Sequence, residues 1–270
     1  MILGIGTYTY TWAIGVPGHP PAVPLSAGEL LDRAVELGVR VVQFADNLPL
    51  DRLESDLLES LRTKARTLGI QIEVGTRGIS HSHLLRYIEL AAFFQSPILR
   101  VVIDTVDHRP EEDEIVDRLR RIVPELERRG LQLAIENHDR FPAAALLRIL
   151  DRTGSASVGV CLDTVNSLGA LEGPELILDV LGPRTINLHV KDFVIARASH
   201  AMGFNVEGSP AGDGMLNVPR VLEQLTRFQR DPNAILELWT PPGHDLDETI
   251  SREQAWAEKS IRYLRGLIPD

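Results

Sequence analysis

Short apolar segments, typical of buried β-strands, alternate along the whole chain with longer segments whose apolar residues recur at helical spacing. Ser26 with Glu29 three residues later predicts a capped helix start, and Gly38, Gly69 and Gly130 predict helix ends. The pattern predicts eight strand–helix pairs. The predicted strands cover residues 3–8, 39–44, 70–74, 98–103, 131–136, 157–162, 184–190 and 233–238, and the predicted helices cover residues 26–37, 51–68, 80–94, 110–129, 142–152, 174–181, 218–228 and 246–265.

Several predicted strands are apolar on both faces, such as residues 158–162 (VGVCL), as expected when both sides of a parallel sheet are covered. Alternation alone is compatible with an open doubly wound sheet as well as with a closed barrel. The count of eight, the length of 270 residues and the missing third glycine in the first βα turn (GIGTYT) favour the barrel. We therefore predict one α/β domain over residues 1–270, a single (β/α)8 TIM barrel.

Charge and cysteine content narrow the classes of partner and compartment. The 28 Lys and Arg against 38 Asp and Glu give a formal charge of −10, which argues against nucleic acid as the main partner. The single cysteine, Cys161, excludes an internal disulfide and is expected to be a buried thiol in a reducing compartment. Because no secretory leader or membrane-length apolar run stands out, we expect a cytoplasmic protein without a membrane partner. The sequence is also compatible with a homo-oligomer.

Four predicted strands end in side chains of the types that bind metal ions. In a barrel the C-terminal strand ends form one rim, so these side chains are expected to converge. Three carboxylates brought together without a cation would repel one another, and a divalent ion resolves that conflict. Three oxygen ligands with one imidazole suit Mn²⁺, Mg²⁺ or Co²⁺, with Zn²⁺ as a further alternative. The four residues, on predicted strands five to eight, are Glu136, Asp163, His189 and Glu237.

The motifs IEN (135–137), LDTVN (162–166), HVKD (189–192) and LEL (236–238) surround these residues. With them the chain resembles the xylose isomerase-like TIM barrel superfamily, the sugar phosphate isomerase/epimerase group. Within it the chain is similar to ketose 3-epimerases, hydroxypyruvate isomerase and inosose dehydratase. The motifs lie in the C-terminal half, and the first half matches in architecture.

The resemblance implies that Glu136, Asp163, His189 and Glu237 bind one divalent ion, with Mn²⁺ as the first choice. It also implies that Glu136 and Glu237 are the acid and base catalysts, on opposite faces of a keto-sugar or related polyol. One carboxylate would take the proton next to a carbonyl held by the metal, which gives an enediolate. The other would return a proton to the same carbon, as in an epimerase, or to the neighbouring carbon, as in an isomerase.

A metal-dependent sugar isomerase or epimerase is therefore the expected function. The first alternative is a metal-dependent dehydratase of a keto-cyclitol or dehydroshikimate-like compound, because loss of a β-hydroxyl can follow from the same enediolate. An endonuclease IV-like phosphodiesterase would need additional histidines and a basic surface, which the strand ends QFADN (43–47) and EVGTR (73–77) and the acidic charge do not offer. A barrel without catalytic activity is a further alternative, against which all four ligand types argue.

Two positions depart from the epimerases. They carry a histidine where this chain has Asn166, and an arginine where it has Ile195, with Arg197 nearby as a substitute. We expect further substrate contacts from side chains near the same rim, while Arg77 is expected in a salt bridge and Asp192 in a supporting role. The predicted substrate contacts are Asn166, Lys191, His138, Trp239, Arg197 and Tyr8.

The segment 193–217 contains four glycines and a proline and is long for a βα connection. It is expected to form an irregular loop that covers the metal site as a lid.

Overall fold

The computed structural model describes residues 1–269, and over that range eight parallel strands close into a barrel surrounded by helices. The predicted fold class, a single (β/α)8 barrel, is confirmed. The strands are β1 (Leu3–Gly6), β2 (Val41–Phe44), β3 (Gln71–Arg77), β4 (Ile98–Val102), β5 (Gln132–Glu136), β6 (Val158–Asp163), β7 (Thr185–Val190), β8 (Asp192–Arg197), β9 (Phe204–Ser209) and β10 (Asn233–Leu236). The helices are α1 (Thr11–Ile14), α2 (Ala27–Glu36), α3 (Ser55–Leu68), α4 (His81–Phe94), α5 (Glu112–Arg129), α6 (Ala143–Thr153), α7 (Pro174–Leu181), α8 (Val218–Arg227) and α9 (Leu246–Arg265).

The barrel closes by pairing β1 with β10, and β10 in turn pairs with β7 because β8 and β9 form a separate sheet. All pairs within the barrel are parallel, with Ile235 of β10 opposite His189 of β7 and Asp163 of β6 opposite the same histidine. The strand ends that carry the predicted ligands are therefore neighbours in space as well as in sequence order.

Local signals in the sequence set the helix boundaries. Ser26 and Glu29 form the predicted reciprocal cap of α2, since Ser26 Oγ accepts from the Glu29 amide and the Glu29 carboxylate accepts from the Ser26 amide. Gly69 and Gly130 end α3 and α5 in the left-handed conformation, with φ of 68° and 63°.

The core lies between the barrel and the helices. On α5 the buried side chains recur at helical spacing and pack against the sheet, and each such side chain contributes about 1.5–3 kcal/mol on burial. The buried residues of α5 are Ile115, Val116, Leu119, Ile122 and Leu126. Within residues 1–269, no helix combines the length and the apolar character needed to cross a membrane.

The segment predicted as an irregular loop is instead largely an antiparallel hairpin, in which β8 pairs with β9 from Asp192 opposite Ser209 to Arg197 opposite Phe204. Its base is fixed to the barrel. The Asp192 carboxylate accepts hydrogen bonds from the amides of Phe193, Gly212, Gly214 and Leu216. Trp239 Nε1, just beyond β10, donates to the Asp192 carbonyl at 3.0 Å. Asp192 thus has a supporting role, which is to anchor the hairpin and the turn that follows it.

Candidate metal centre and active site

The four predicted ligands lie together at the C-terminal rim, at or just beyond the ends of β5, β6, β7 and β10. His189 Nδ1 is at the centre, 3.3 Å from Glu136 Oε2, 3.2 Å from Glu237 Oε1 and 3.7 Å from Asp163 Oδ2. None of these four residues is more than 2% exposed. We call them the carboxylate–histidine cluster.

Three buried atoms of the cluster accept or donate no regular hydrogen bond: Asp163 Oδ2, His189 Nδ1 and Glu237 Oε2, and the two carboxylate oxygens among them have only an ion pair with Lys191. Ligand atoms of the same three residues lie within 4.8 Å of one another, and Glu136 belongs to a second such group with Cys161 and His189. These three atoms converge on one buried point, and the two carboxylate oxygens keep lone pairs that can bind a cation in addition to Lys191. Carboxylate oxygens and one imidazole nitrogen are suitable ligands for a divalent ion. The cluster therefore fits a divalent metal ion.

Two cations contact the carboxylates of the cluster. Lys191 Nζ lies 2.9 Å from Asp163 Oδ2 and 2.7 Å from Glu237 Oε2, with its side chain 12% exposed. Arg100, which is 2% exposed, donates from Nε to Glu136 Oε2. Asn166 Nδ2 donates to the other Glu136 oxygen at 2.7 Å. Both oxygens of Glu136 are thus held by neighbours.

The proximity of opposite charges governs the protonation of this cluster. Burial alone would raise the pKa of Glu136 and Asp163, but Arg100 and His189 lower the pKa of Glu136, and Lys191 and His189 lower that of Asp163. Burial would lower the pKa of Lys191, but Asp163 and Glu237 outweigh burial and raise it. Lys191 is consequently a protonated ammonium at neutral pH, and the carboxyl groups of Glu136 and Asp163 are ionised.

Arg100 and its second partner, Asp46, were not predicted from the sequence. Asp46 Oδ1 is 3.2 Å from Arg100 Nη1, and Asp46 Oδ2 accepts from Arg77 Nε at 2.8 Å, which confirms the predicted salt bridge of Arg77. Tyr8 OH also donates to Asp46 at 3.2 Å, and burial, followed by the Asp46 charge, raises the pKa of Tyr8 to about 12. The available signal was an arginine inside the apolar segment RVVI (100–103), since a buried arginine needs an acidic partner.

A layer of buried amides beneath the cluster was also missed. Gln43 Oε1 lies 2.7 Å from His189 Nε2, and Gln43 Nε2 donates to Glu73 Oε2 at 3.0 Å and to Asn187 Oδ1 at 2.9 Å. Asn187 and Asn233 donate to Glu73 as well, at 3.1 Å and 2.8 Å. The signal was again a polar residue in an otherwise apolar strand, at Gln43, Glu73 and Asn187.

Two cavities of about 550 Å³ and 500 Å³ share Lys191, Val206 and Trp239 in their walls, and Lys191 joins both of them to the cluster. Tyr8 and Trp12 line the first, whereas His138 and Asn166 line the second. Five of the six predicted substrate contacts therefore lie at these cavities.

The sixth predicted contact, Arg197, is not brought to the cluster. It is an exposed residue of the hairpin, its Nη1 donates to the Ala201 carbonyl at 3.3 Å, and its guanidinium lies 4.9 Å from the ring of Phe204. Arg197 appears in the lining of neither cavity. The reason is the hairpin itself, because strand pairing holds this part of the segment away from the rim, where an irregular loop could have folded back.

A further cavity of about 520 Å³ lies at the opposite end of the barrel, beside Asp151, Arg184 and Arg230. It adjoins the N-terminal ends of β5 to β7 and shares no residue with the cluster.

Comparison with known proteins agrees with this architecture. The 3-oxo-isoapionate decarboxylase of Pectobacterium atrosepticum is 34% identical over 266 residues, which cover 98% of this chain and 95% of that protein. A D-psicose 3-epimerase solved in the presence of D-fructose has a TM-score of 0.74 at 15% identity, with complete coverage of both chains. The IOLI protein, solved with a zinc atom, has a TM-score of 0.71 at 14% identity, also with complete coverage.

The two solved structures share the fold at identities too low to indicate more than that. The family model of the xylose isomerase-like TIM barrel matches residues 31–267, which is most of the chain. The resemblance inferred from the motifs is thereby confirmed, and the chain belongs to the xylose isomerase-like TIM barrel family.

Proposed function

We propose that this protein is a metal-dependent enzyme that decarboxylates a 3-oxo sugar acid through an enolate. The observation that carries the proposal is the charge of the site. The contacting side chains comprise three carboxylates (Glu136, Asp163 and Glu237) and two cations (Lys191 and Arg100). Their formal charge of about −1 becomes about +1 with a divalent ion, which complements a monoanionic sugar acid better than a neutral ketose.

The 3-oxo-isoapionate decarboxylase of Pectobacterium, by its name, acts on such a 3-oxo sugar acid, and it aligns with this chain from end to end at 34% identity. The enolate chemistry expected from the sequence is retained in this proposal. What differs is the bond that breaks, because a carbon–carbon bond to a carboxylate replaces the carbon–hydrogen bond of an epimerase substrate.

The chain's own residues have distinct tasks in this reaction. A divalent ion held by Glu136, Asp163, His189 and Glu237 would supply Lewis-acid polarisation of a ketone oxygen. The bond between the substrate carboxylate and the carbon next to the ketone breaks, its electron pair moves to the ketone oxygen, and carbon dioxide leaves. Lys191, the ammonium shared by both cavities, delivers a proton to that carbon and regains one from water.

The hydrogen bonding of Glu136 also favours decarboxylation over epimerisation. An epimerase needs two carboxylates that can each take a proton from carbon, but Arg100 and Asn166 engage both oxygens of Glu136. A decarboxylase needs no base for the bond-breaking step. It needs an electron acceptor and an acid, and Lys191 is the acid within reach of both cavities.

The isomerase or epimerase remains the second candidate, favoured by the positions of Glu136 and Glu237. The two carboxylates lie 3.3 Å and 3.2 Å from the same His189 nitrogen, which would suit a pair of acid and base catalysts on either side of a substrate. The dehydratase differs from both in its product, a conjugated enone. Mn²⁺ remains our first choice of metal for each of the three reactions.

The test is a screen of purified protein with Mn²⁺, Mg²⁺, Co²⁺ or Zn²⁺ against 3-oxo sugar acids and against neutral ketoses, in deuterated water. The expected result is release of carbon dioxide from a 3-oxo acid, with one deuterium in the product. Deuterium exchange into neutral ketoses without carbon dioxide release would refute decarboxylation and support the epimerase. An ultraviolet-absorbing enone would support the dehydratase instead.

A further inference from the structure

We infer that Gln43 is a positioning residue that holds the proton of neutral His189 on Nε2 and so leaves Nδ1 free to bind the metal. The inference concerns the proposed metal site and rests on it. It follows from the hydrogen bonds among polar side chains of β2, β3, β7 and β10, which fix the orientation of each amide group.

The orientation of the amide layer is fixed from its outer end. The Ile2 amide can only donate, and it lies 3.2 Å from Asn233 Oδ1, so Asn233 must present Nδ2 to Glu73 Oε1. Asn187 Nδ2 approaches Glu73 Oε2 at 3.1 Å. Glu73 is buried, and each of its two oxygens accepts an amide N–H, Oε1 from Asn233 and Oε2 from Asn187.

Glu73 in turn sets the orientation of Gln43. Gln43 Nε2 lies 3.0 Å from Glu73 Oε2 and 2.9 Å from Asn187 Oδ1, both of which are acceptors. The reversed amide would put the Gln43 oxygen against these two oxygens and remove one donor from each of them in a buried layer, which is unfavourable. Gln43 Oε1 must consequently face His189.

An amide oxygen only accepts, so the His189 nitrogen that lies 2.7 Å from Gln43 Oε1 must carry a proton. In the neutral ring the other nitrogen, Nδ1, then has a free lone pair, and Nδ1 is the atom surrounded by Glu136, Asp163 and Glu237. The layer also explains why a carboxylate, Glu73, is buried inside the barrel without contact to the cluster: it orients the amide that orients the histidine.

The experiment compares wild type with Gln43→Met, which has a similar size and no hydrogen-bond acceptor for His189. Burial would lower the pKa of His189, but Glu237 and Glu136 raise it, so metal-free protein labelled with ¹⁵N-histidine is brought to an alkaline pH at which the ring is neutral. The neutral wild-type ring should show the Nε2–H tautomer, and Gln43→Met should lose that preference. The His189 signals are assigned by comparison with His189→Gln. Affinity for Mn²⁺, measured by calorimetry, should fall about 10–100-fold in Gln43→Met, as is typical when a residue that orients a metal ligand is removed.

Gln224→Met, on α8 and remote from the cluster, is the control for the substitution itself. If Gln43→Met does not fold, Gln43→Asn, which is one methylene too short to reach His189, takes its place.

An unchanged tautomer and unchanged Mn²⁺ affinity in Gln43→Met would overturn the inference. If only the proposed function is wrong, the wild type shows no decarboxylase activity but can still show the Nε2–H tautomer and bind Mn²⁺. A wild type that binds none of the four metals would refute the metal site and, with it, the purpose assigned to Gln43.

Discussion

Arg100→Met should destabilise the metal-free protein strongly and the metal-loaded protein much less. Arg100 is 2% exposed and pairs with Glu136 and Asp46, so its removal leaves buried carboxylate charge without compensation. Breaking a buried ion pair in this way costs about 3–5 kcal/mol of the free energy of unfolding. A divalent ion in the cluster would replace the lost positive charge, so saturating Mn²⁺ should recover a large part of that loss.

The pH dependence of the loss gives a second check on the metal-free protein. In the wild type Arg100 holds the pKa of Glu136 below its ordinary value despite burial, so the stabilising contribution of this pair is present above the unfolded-state pKa of about 4.3 and is lost as the pH falls. Without Arg100, burial dominates and the pKa of Glu136 should rise above its unfolded value. The difference in stability between the two proteins should therefore be smaller near pH 4 than at pH 7.

The assay is urea unfolding of wild type and Arg100→Met at pH 4.5 and pH 7, with and without Mn²⁺, followed by circular dichroism. Arg128→Met is the matched control, because Arg128 forms an exposed pair with Glu125 that is worth at most about 1 kcal/mol. An equal loss of stability in Arg100→Met with and without Mn²⁺ would refute the reasoning, since the ion would then not occupy the field of Glu136.

Three further predictions follow from the same structure. Lys191→Met should lower turnover by about 100-fold or more, as expected for loss of a general acid. The metal content measured by elemental analysis should stay near one ion per chain. The control is Lys259→Met, which removes an exposed lysine, and a turnover of Lys191→Met within a factor of three of this control would contradict the assigned role. His189→Ala should abolish the increase in melting temperature that Mn²⁺ gives the wild type, and an undiminished increase in a scanning fluorimetry titration would place the ion elsewhere. Burial raises the pKa of Glu253 to about 7, so this carboxyl by itself should lower the free energy of unfolding by about 3 kcal/mol between pH 4 and pH 8. Glu253→Gln should remove that contribution, so the variant should gain stability relative to the wild type as the pH rises in urea unfolding; a difference between the two proteins that does not change with pH would refute the assignment.

The architecture and the four candidate ligands were predictable from the sequence because both depend on local periodicity. An apolar segment ends where its strand ends, and in a closed barrel all strand ends of one kind meet at one rim. A ligand-type residue at the end of an apolar segment, such as Asp163 or His189, is thereby placed near the others without any knowledge of distances.

Arg100 and Gln43 could not be assigned in the same way because their partners come from other strands. Arg100 of β4 pairs with Glu136 of β5 and with Asp46 beyond β2, and Gln43 of β2 reaches His189 of β7 across the interior of the barrel. These contacts depend on the angles at which the strands cross the barrel, which the one-dimensional pattern does not contain. A polar residue inside an apolar strand indicates that a partner exists, but it does not say which one.

The hairpin was missed for a different reason. β8 begins at Asp192, with only Lys191 between it and β7, so no glycine or proline marks the start of a new strand. Its partner β9 contains a glycine and is exposed over most of its length, which hides the usual apolar contrast. That the hairpin acts as a lid stays a prediction. Because the hydrogen bonds of Asp192 fix the base of the hairpin, we expect only its tip to move.

The proposed chemistry depends on three alternate residues, two within β7 and one directly after it. Asn187, His189 and Lys191 lie two residues apart and therefore point to the same side of β7, into the barrel. Asn187 belongs to the buried amide layer, His189 belongs to the carboxylate–histidine cluster, and Lys191 lines both cavities. One rigid strand thus fixes the support, the candidate metal ligand and the acid relative to one another, which a loop could not do with comparable precision. Because a slip of one residue in the pairing of β7 would turn all three side chains out of the barrel, metal binding and proton transfer should be lost together in any variant that alters this register.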